Sequence, residues 1–462
     1  MYNSDLCQVM QFLPPEKRRA LRKFIDSPYH NQREDVRRLF RYLDRESAAP
    51  GKQAAFEAVF PGEAYDDQRM RYAMSFLLKT IERFLICEEA TADAVAAELH
   101  LAKAYRQMGL EKMTRRSMAR ARTLHERTAL HDAVFYERGY LLEAEELEFT
   151  QTHKRTAARN LQQVNHALDL SYLAKKLRQS CTALVHGAVA NVEYDSGLLD
   201  LVLGYLESAP WLDEHPAIAL YFYFYQAATR GDEAYFSKLK KGIAEAGEQL
   251  PEEELRALLF LAINFCIQRF NRGEERYLEE VFGLYRGGLE QGLLLINGQF
   301  SRFTFKNIAG IAIRLGAYDW TEAFIEEYGP AVEAEHRRNY TDFSLAKLYH
   351  ARQDYPRAMQ LLHGVEYEDL FLNLDAKVLL LKIYFEQGET EALDNLLQSF
   401  QRFLQRKRKD LGYHRENYLH FARLMGKLLQ LPPGDREGLE RLRREIGETK
   451  ALAEREWLME RV

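Results

Sequence analysis

The chain has 462 residues, of which 47% are hydrophobic and 12% aromatic, ample for a buried core, and its 12 prolines leave room for long helices. Four widely spaced cysteines, Cys7, Cys87, Cys181 and Cys266, form no C-x-x-C pair, so composition points away from a zinc knuckle or a disulfide framework and fits a reducing cytoplasm. The net charge of -5 hides an acidic middle, 19 basic against 34 acidic residues over 191–400, between ends that are each net basic (30 against 25 over 1–190, 15 against 10 over 401–462), which argues against a continuous nucleic-acid track and permits a basic partner for the middle.

Met1-Tyr2-Asn3-Ser4-Asp5 is polar and the first apolar stretch soon meets Pro14-Pro15, which is no signal peptide. The most apolar runs, Ala217 to Tyr225 and Leu258 to Ile263, fall short of the roughly 20 residues a bilayer span needs. A cytoplasmic protein is expected, without a membrane partner.

Residues 1–90 read as an N-terminal helical domain of about four helices. Pro14-Pro15-Glu16 opens the first, since proline is tolerated in an opening turn and an acid suits the positive end of the helix dipole. Leu21, Phe24 and Ile25 form its buried stripe, and Ser27-Pro28-Tyr29 stops it. Val36, Leu39, Phe40 and Leu43 mark a second helix, and a short third ends at Phe60-Pro61-Gly62. Asp66 then caps a long helix whose buried face runs through Met70, Met74, Leu77, Leu78, Ile81, Phe84 and Leu85. Arg18, Arg19, Arg22, Lys23, Arg37, Arg38, Arg69 and Arg71 would suit a helix-turn-helix reader of DNA, but acids nearly balance the bases here, which favours solvated helix faces.

From 91 to about 190 the helices are longer. One ends at Gly109, a basic one follows (Lys112, Arg115, Arg116, Arg120, Arg122, Arg127), and Phe135 to Phe149 and Leu161 to Val189 are two more, the last expected to break in two. Glu143, Glu145, Glu146 and Glu148 would need paired Glu-x-x-His motifs to hold two metals, and the chain has one, Glu333 to His336. No metal or cofactor is expected. Between 215 and 290, Gly231-Asp232 and Gly273-Glu274 are equivalent turns of two hairpins 42 residues apart. The run Tyr221-Phe222-Tyr223-Phe224-Tyr225 has strand propensity, but its place before a repeat turn predicts a buried helix.

Over 296–400 the chain repeats every 35 residues. Asp319-Trp320, Asp354-Tyr355 and Glu389-Thr390 occupy one position, Ala323, Ala358 and Leu393 the next, and Ile311, Ala346 and Leu381 precede them. With Tyr349, Leu362, Tyr384 and Leu397, this pattern resembles the tetratricopeptide-repeat family, specifically over 341–399, fairly over 302–328 and only loosely upstream. With its Ser27-Pro28-Tyr29 turn, Phe60-Pro61-Gly62 segment and final Trp457-Leu458, the whole chain also resembles uncharacterised bacterial helical-repeat proteins, which implies no activity. Residues 401–462 read as a C-terminal cap: a stripe through Tyr418, Phe421, Leu424, Met425, Leu428 and Leu429, a break at Leu431-Pro432-Pro433-Gly434-Asp435, then a charged helix. Arg402, Arg406, Lys407, Arg408, Lys409 and Arg415 form the densest positive patch, read as a solvated helix face rather than a phosphate site.

The expected fold is therefore all-α: a right-handed superhelix of TPR-like hairpins over 91–400, with helical caps at 1–90 and 401–462. The chain lacks Gly-x-Gly-x-x-Gly, Gly-Lys-Ser/Thr, Gly-x-Ser-x-Gly and His-Glu-x-x-His motifs, so an enzyme is not expected. The resemblance implies a groove lined by the first helix of each hairpin, and it places Lys347 and Lys382 at equivalent groove positions with Tyr340, His350 and Phe385 nearby. These five are the candidate contacts for a protein or peptide partner, with balance by local acids such as Asp342, Asp375 and Glu386 as the plainer reading of the lysines. An interaction scaffold is the expectation; the alternative is a nucleic-acid-linked regulator in which residues 1–90 touch DNA or RNA.

Overall fold

A computed structural model describes residues 4–45, 51–151, 159–190, 192–363, 369–407, 411, 414–432 and 434–462. Among these residues the fold is all-α, apart from one hairpin pairing Leu295–Ile296 with Gln299–Phe300. No helix among them is long and apolar enough to cross a membrane. The chain divides into two compact units, Met1–Phe222 with Glu248–Leu250, and Tyr223–Gly247 with Pro251–Val462.

The first unit begins one helix earlier than the Pro14-Pro15 signal predicts. Helix α1 (Asp5–Phe12) buries Leu6, Cys7 and Met10, a stripe too short to show as a period. Arg18 on α2 (Pro15–Asp26) secures its end by donating to the carbonyls of Met10 (2.6 Å) and Leu13 (2.9 Å), which have no partner within the helix. With α3 (Glu34–Arg45), α4 (Lys52–Val59) and α5 (Asp67–Ala92) these helices share a single apolar cluster running from Leu6 to Phe84. Asp66 does cap α5, accepting from the amides of Gln68 and Arg69 at 2.9 and 3.0 Å.

Next come α6 (Ala94–Gln107), which ends at left-handed Gly109, α7 (Glu111–Glu126), α8 (Ala133–Gln151), α9 (Leu161–Ala190) and α10 (Leu199–Glu207). The break expected in Leu161 to Val189 is absent: α9 is a continuous helix of 30 residues. It contains no proline, no glycine before Gly187, and an unbroken buried stripe of Leu170, Leu173, Ala174, Leu177 and Cys181 at spacings of three and four.

The boundary between the units falls within α11 (Pro216–Arg230), where Tyr221, Phe222, Tyr223 and Phe224 are all buried in a helix, as their place before a turn predicts. In the second unit Gly231 takes φ +69° and Asp232 caps α12 (Glu233–Glu245) through the Ala234 amide at 2.9 Å. Helices α13 (Glu252–Asn271) and α14 (Arg276–Glu290) then pack together around two adjacent glycines with opposite surroundings. A Cβ on Gly288 would lie 2.6 Å from Leu259 Cδ2 and 3.2 Å from Leu294 Cγ, whereas one on Gly287 meets nothing within 4 Å. Gly288→Ala should therefore destabilise by about 1–3 kcal/mol through overpacking, while Gly287→Ala should stabilise by about 0.5–1 kcal/mol through helix propensity. Thermal melts of the two variants that shift in the same direction would contradict this packing.

Three hairpins follow: α15 (Arg302–Arg314) with α16 (Tyr318–Tyr328), α17 (Arg337–Ala351) with α18 (Tyr355–His363), and α19 (Leu370–Gln387) with α20 (Thr390–Arg406). Their first helices pack in series, α15 on α17 and α17 on α19. At each turn one residue is left-handed, Gly316, Gln353 and Gly388, and the next amide (Ala317, Asp354, Glu389) donates to the carbonyl five residues back at 2.8–3.0 Å. These marks correct the register read from sequence. The second and third hairpins are offset by 35 residues, but the first and second by 37, because a 3-10 turn at Gly329–Ala331 lengthens the connection between them. The buried equivalents of Ala346 and Ala358 are thus Ala309 and Thr321, while Ile311 is half-buried and Ala323 is exposed. The chain closes with α21 (His414–Gln430), α22 (Arg436–Glu448) and α23 (Arg455–Met459), which share an apolar cluster with α19 and α20.

Candidate functional site

The corrected register aligns Gly310, Lys347 and Lys382 on the three serial helices α15, α17 and α19. Gly310 leaves room for its neighbour: the Lys347 ammonium lies 3.5 Å from where a Cβ on Gly310 would sit. One helical turn earlier on α15, Lys306 adds a third ammonium, paired with Asp375 of α19 at 2.7 Å. Tyr418 of α21 donates to the other oxygen of Asp375 at 2.7 Å.

Lys382 is buried and pairs with Glu454 at 2.7 Å, a residue 72 positions further on. Lys347 has no carboxylate within 4 Å among the described residues, although Glu454 and Asp375 act on it from further off. Burial, reinforced by Lys382 and Lys306, pushes its pKa below the ordinary lysine value despite those two acids. Burial pushes Glu454 the other way, but Lys382 and Lys347 prevail and hold its carboxyl at about 2. The cluster has three lysines and two carboxylates, and Lys347 is the lysine without a carboxylate at ion-pair distance among the described residues.

Glu454 belongs to a C-terminal segment, Ala451–Val462, that reaches from α19 to α15. Glu456 pairs with Arg314, and Arg461 donates to Glu386 at 2.7 Å. Trp457 Nε1 donates to the same Glu386 oxygen at 2.6 Å, while the indole packs edge-on to Phe385 with ring centres 5.4 Å apart. His350 Nε2 meets the other Glu386 oxygen at 2.8 Å. Burial raises the Glu386 pKa, yet His350, Trp457 and Arg461 outweigh it and hold the carboxyl at about 2.

Of the residues singled out in the sequence, Lys347 and Lys382 share one charge cluster, and His350 and Phe385 lie beside it against the C-terminal segment. Tyr340 does not line this face: it is 1% exposed and its hydroxyl donates to Asp369 at 2.9 Å, the residue that caps α19. Of the local acids read as lysine partners, Asp375 acts on Lys347 from beyond ion-pair distance while pairing with Lys306, and Asp342 and Glu386 face Arg338 at 3.6 Å and His350 at 2.8 Å. Sequence reasoning missed Lys306, which the 35-residue register does not align, and Glu454, whose partner is remote in sequence.

Elsewhere many of the charged side chains pair with one another. Arg22 pairs with Asp44, Arg69 with Glu63 and Arg71 with Asp67, and Glu143 and Glu145 pair with Arg122 and Arg106. In the basic patch Arg415 donates to the Leu404 carbonyl at 3.2 Å near the end of α20, as the helix-end reading anticipates; Arg408 and Lys409 lie outside the described residues. Comparison with known proteins finds no matching family model, no matching curated protein and no matching solved structure.

Proposed function

We propose that the protein is a cytoplasmic interaction scaffold: a TPR-like right-handed superhelical array whose lysine-lined inner face holds a segment of a protein partner through its carboxylates. The observation that carries this reading is the cluster of Lys306, Lys347 and Lys382, in which Lys347 has no carboxylate at ion-pair distance among the described residues and Lys382 already grips one chain segment through Glu454. Ammonium groups held in a desolvated setting attract a carboxylate more strongly than solvated ones. The reading assigns no chemistry to the protein, only binding.

Fluorescence anisotropy with labelled twelve-residue peptides rich in glutamate, each compared with its glutamine counterpart, tests it. The glutamate peptides are expected to bind, the glutamine peptides not, and Lys347→Gln is expected to weaken binding at least about tenfold without lowering the melting temperature, since it breaks no direct ion pair. Equal binding of the two peptide sets, or indifference to Lys347, would rule the reading out.

A further inference from the structure

The segment across the lysine face shows features of a bound ligand as well as of a terminal cap. Its root is tied down: the Ala453 amide donates to the Asn417 carbonyl at 3.2 Å and His420 Nδ1 meets the Ala451 carbonyl at 2.6 Å. Beyond the root the attachment changes character. The polar contacts of 456–462 with α15 and α19 run through side chains, Glu456 to Arg314 and Trp457 and Arg461 to Glu386, with the indole against Phe385, while Trp457 and Leu458 are buried in the apolar cluster shared with α19 to α21. The helix carrying Glu456 and Trp457 has five residues, too few to be stable alone. Between root and tip stands Glu454, a non-glycine residue at φ 52°, ψ 35°, a left-handed conformation that L side chains resist. Here the residue that reaches Lys382 is held in an unfavourable backbone geometry.

Two chemical demands are met by this one segment. A carboxylate meets the lysines, and three residues later an indole fills the place beside Phe385 and bonds to Glu386. One demand is left over, because Lys347 has no carboxylate at ion-pair distance among the described residues. A foreign segment with the same acid-to-indole spacing and a further carboxylate could satisfy all three.

Resting on the reading of this face as a peptide-binding surface, we propose that Ala451–Val462 is a built-in, displaceable ligand, and that the partner it keeps out carries a carboxylate three residues ahead of a tryptophan, with additional acid nearby. The tip swings on Glu454 and gives up the Arg455 bonds to the Ile446 and Gly447 carbonyls of α22, while the root stays attached to α21. The partner enters only as the tip leaves. A tethered segment competes at an effective concentration near millimolar, so the closed chain binds such a partner far more weakly than an opened one.

The test uses the full chain and, as probe, a fluorescein-labelled synthetic copy of residues 449–462. The double variant Glu454→Lys with Glu456→Lys sets cations against Lys382 and Arg314 and removes no buried apolar side chain. It is expected to bind the probe at least about 20-fold more tightly than the unaltered chain, and Lys347→Glu added to it is expected to abolish that gain. Hydrogen exchange supplies a readout that does not depend on the variant folding: in the unaltered chain, amides of 456–462 should exchange at least about tenfold faster than those of α19 and α21. Equal probe binding by the closed and opened chains, or protection of 456–462 equal to that of α19, would overturn the proposal. So would exchange of the segment between copies, seen as a dimer in light scattering, since the occupant would then be a second chain. If the opened chain ignores the probe while glutamate peptides still bind in a Lys347-dependent way, the gate fails and the binding face stands; if no peptide responds to Lys347, the face itself fails.

Discussion

Phe324→Ala is expected to destabilise the second unit by about 3–5 kcal/mol, among the largest losses a single truncation produces. Phe324 is 2% exposed and lies at the centre of a ladder along one face of α16, with Trp320 four residues before it and Tyr328 four after. Its ring stacks on both, at centroid distances of 5.3 and 5.4 Å, and on Phe305 of α15 at 5.1 Å, while Phe300 approaches edge-on at 6.0 Å. Trp320 carries the ladder on to Phe282 of α14, edge-on at 4.8 Å. Removing the middle ring leaves a cavity whose walls are rings held by other neighbours and unable to collapse inward. Phe324→Leu keeps most of the volume and should lose roughly 1–2 kcal/mol. Denaturant unfolding followed by circular dichroism separates these values; a loss below about 1 kcal/mol for the alanine variant would show that the ladder is not close-packed.

The ladder also shows where sequence reading succeeded and where it slipped. The second and third hairpins align as their residues suggest, because Gly388 and the Asp354-Tyr355 pair mark turns with strong local preferences. The first hairpin departs from the 35-residue period by two residues. Its turn glycine, Gly316, precedes an Ala-Tyr pair in place of acid-Tyr, and the nearby Asp319-Trp320 offered a better-looking match. The structure separates the two possibilities through burial: Thr321 is inside and Ala323 outside, a difference that two small residues do not announce. In α9 the expected break is absent, since no breaker residue precedes Gly187.

The candidate site was half legible. Lys347 and Lys382 stand out because equivalent positions in a repeat face the same way, which is local geometry. Glu454, Trp457 and Arg461 do not, because their partners lie 71 to 75 residues away and depend on how the chain end folds back. Lys306 is intermediate: it lies on the correct helix one turn from the aligned position, where a long side chain still reaches the cluster. Of the acids nearest the lysines in sequence, Asp375 acts on Lys347 at a distance, while Asp342 and Glu386 face Arg338 and His350.

Acidification should loosen the C-terminal segment, and the difference between the unaltered chain and Glu386→Gln isolates one cause. The Glu386 carboxyl accepts from Trp457 and Arg461 and meets His350, with its side chain only 10% exposed. These partners hold its folded pKa at about 2, below the ordinary 4.5. A carboxyl whose pKa falls on folding stabilises the fold above the ordinary value, and that contribution disappears as pH drops toward the folded one. The window is therefore from about pH 5 down to about pH 2, and the contribution is on the order of 2–3 kcal/mol. Glu454, also held at about 2, acts in the same window and the same direction. Other carboxyls of the chain contribute as well, among them Asp35 and Glu98, lowered by Arg33 and Arg120 against the opposing effect of burial. Their effect is common to both proteins and cancels in the difference. Stability measured by denaturant titration should thus favour the unaltered chain over Glu386→Gln by on the order of 2–3 kcal/mol at pH 6, with the two curves converging as pH approaches 2. A constant gap across that range would mean that Glu386 acts through shape and hydrogen bonding alone, with no contribution from its charge.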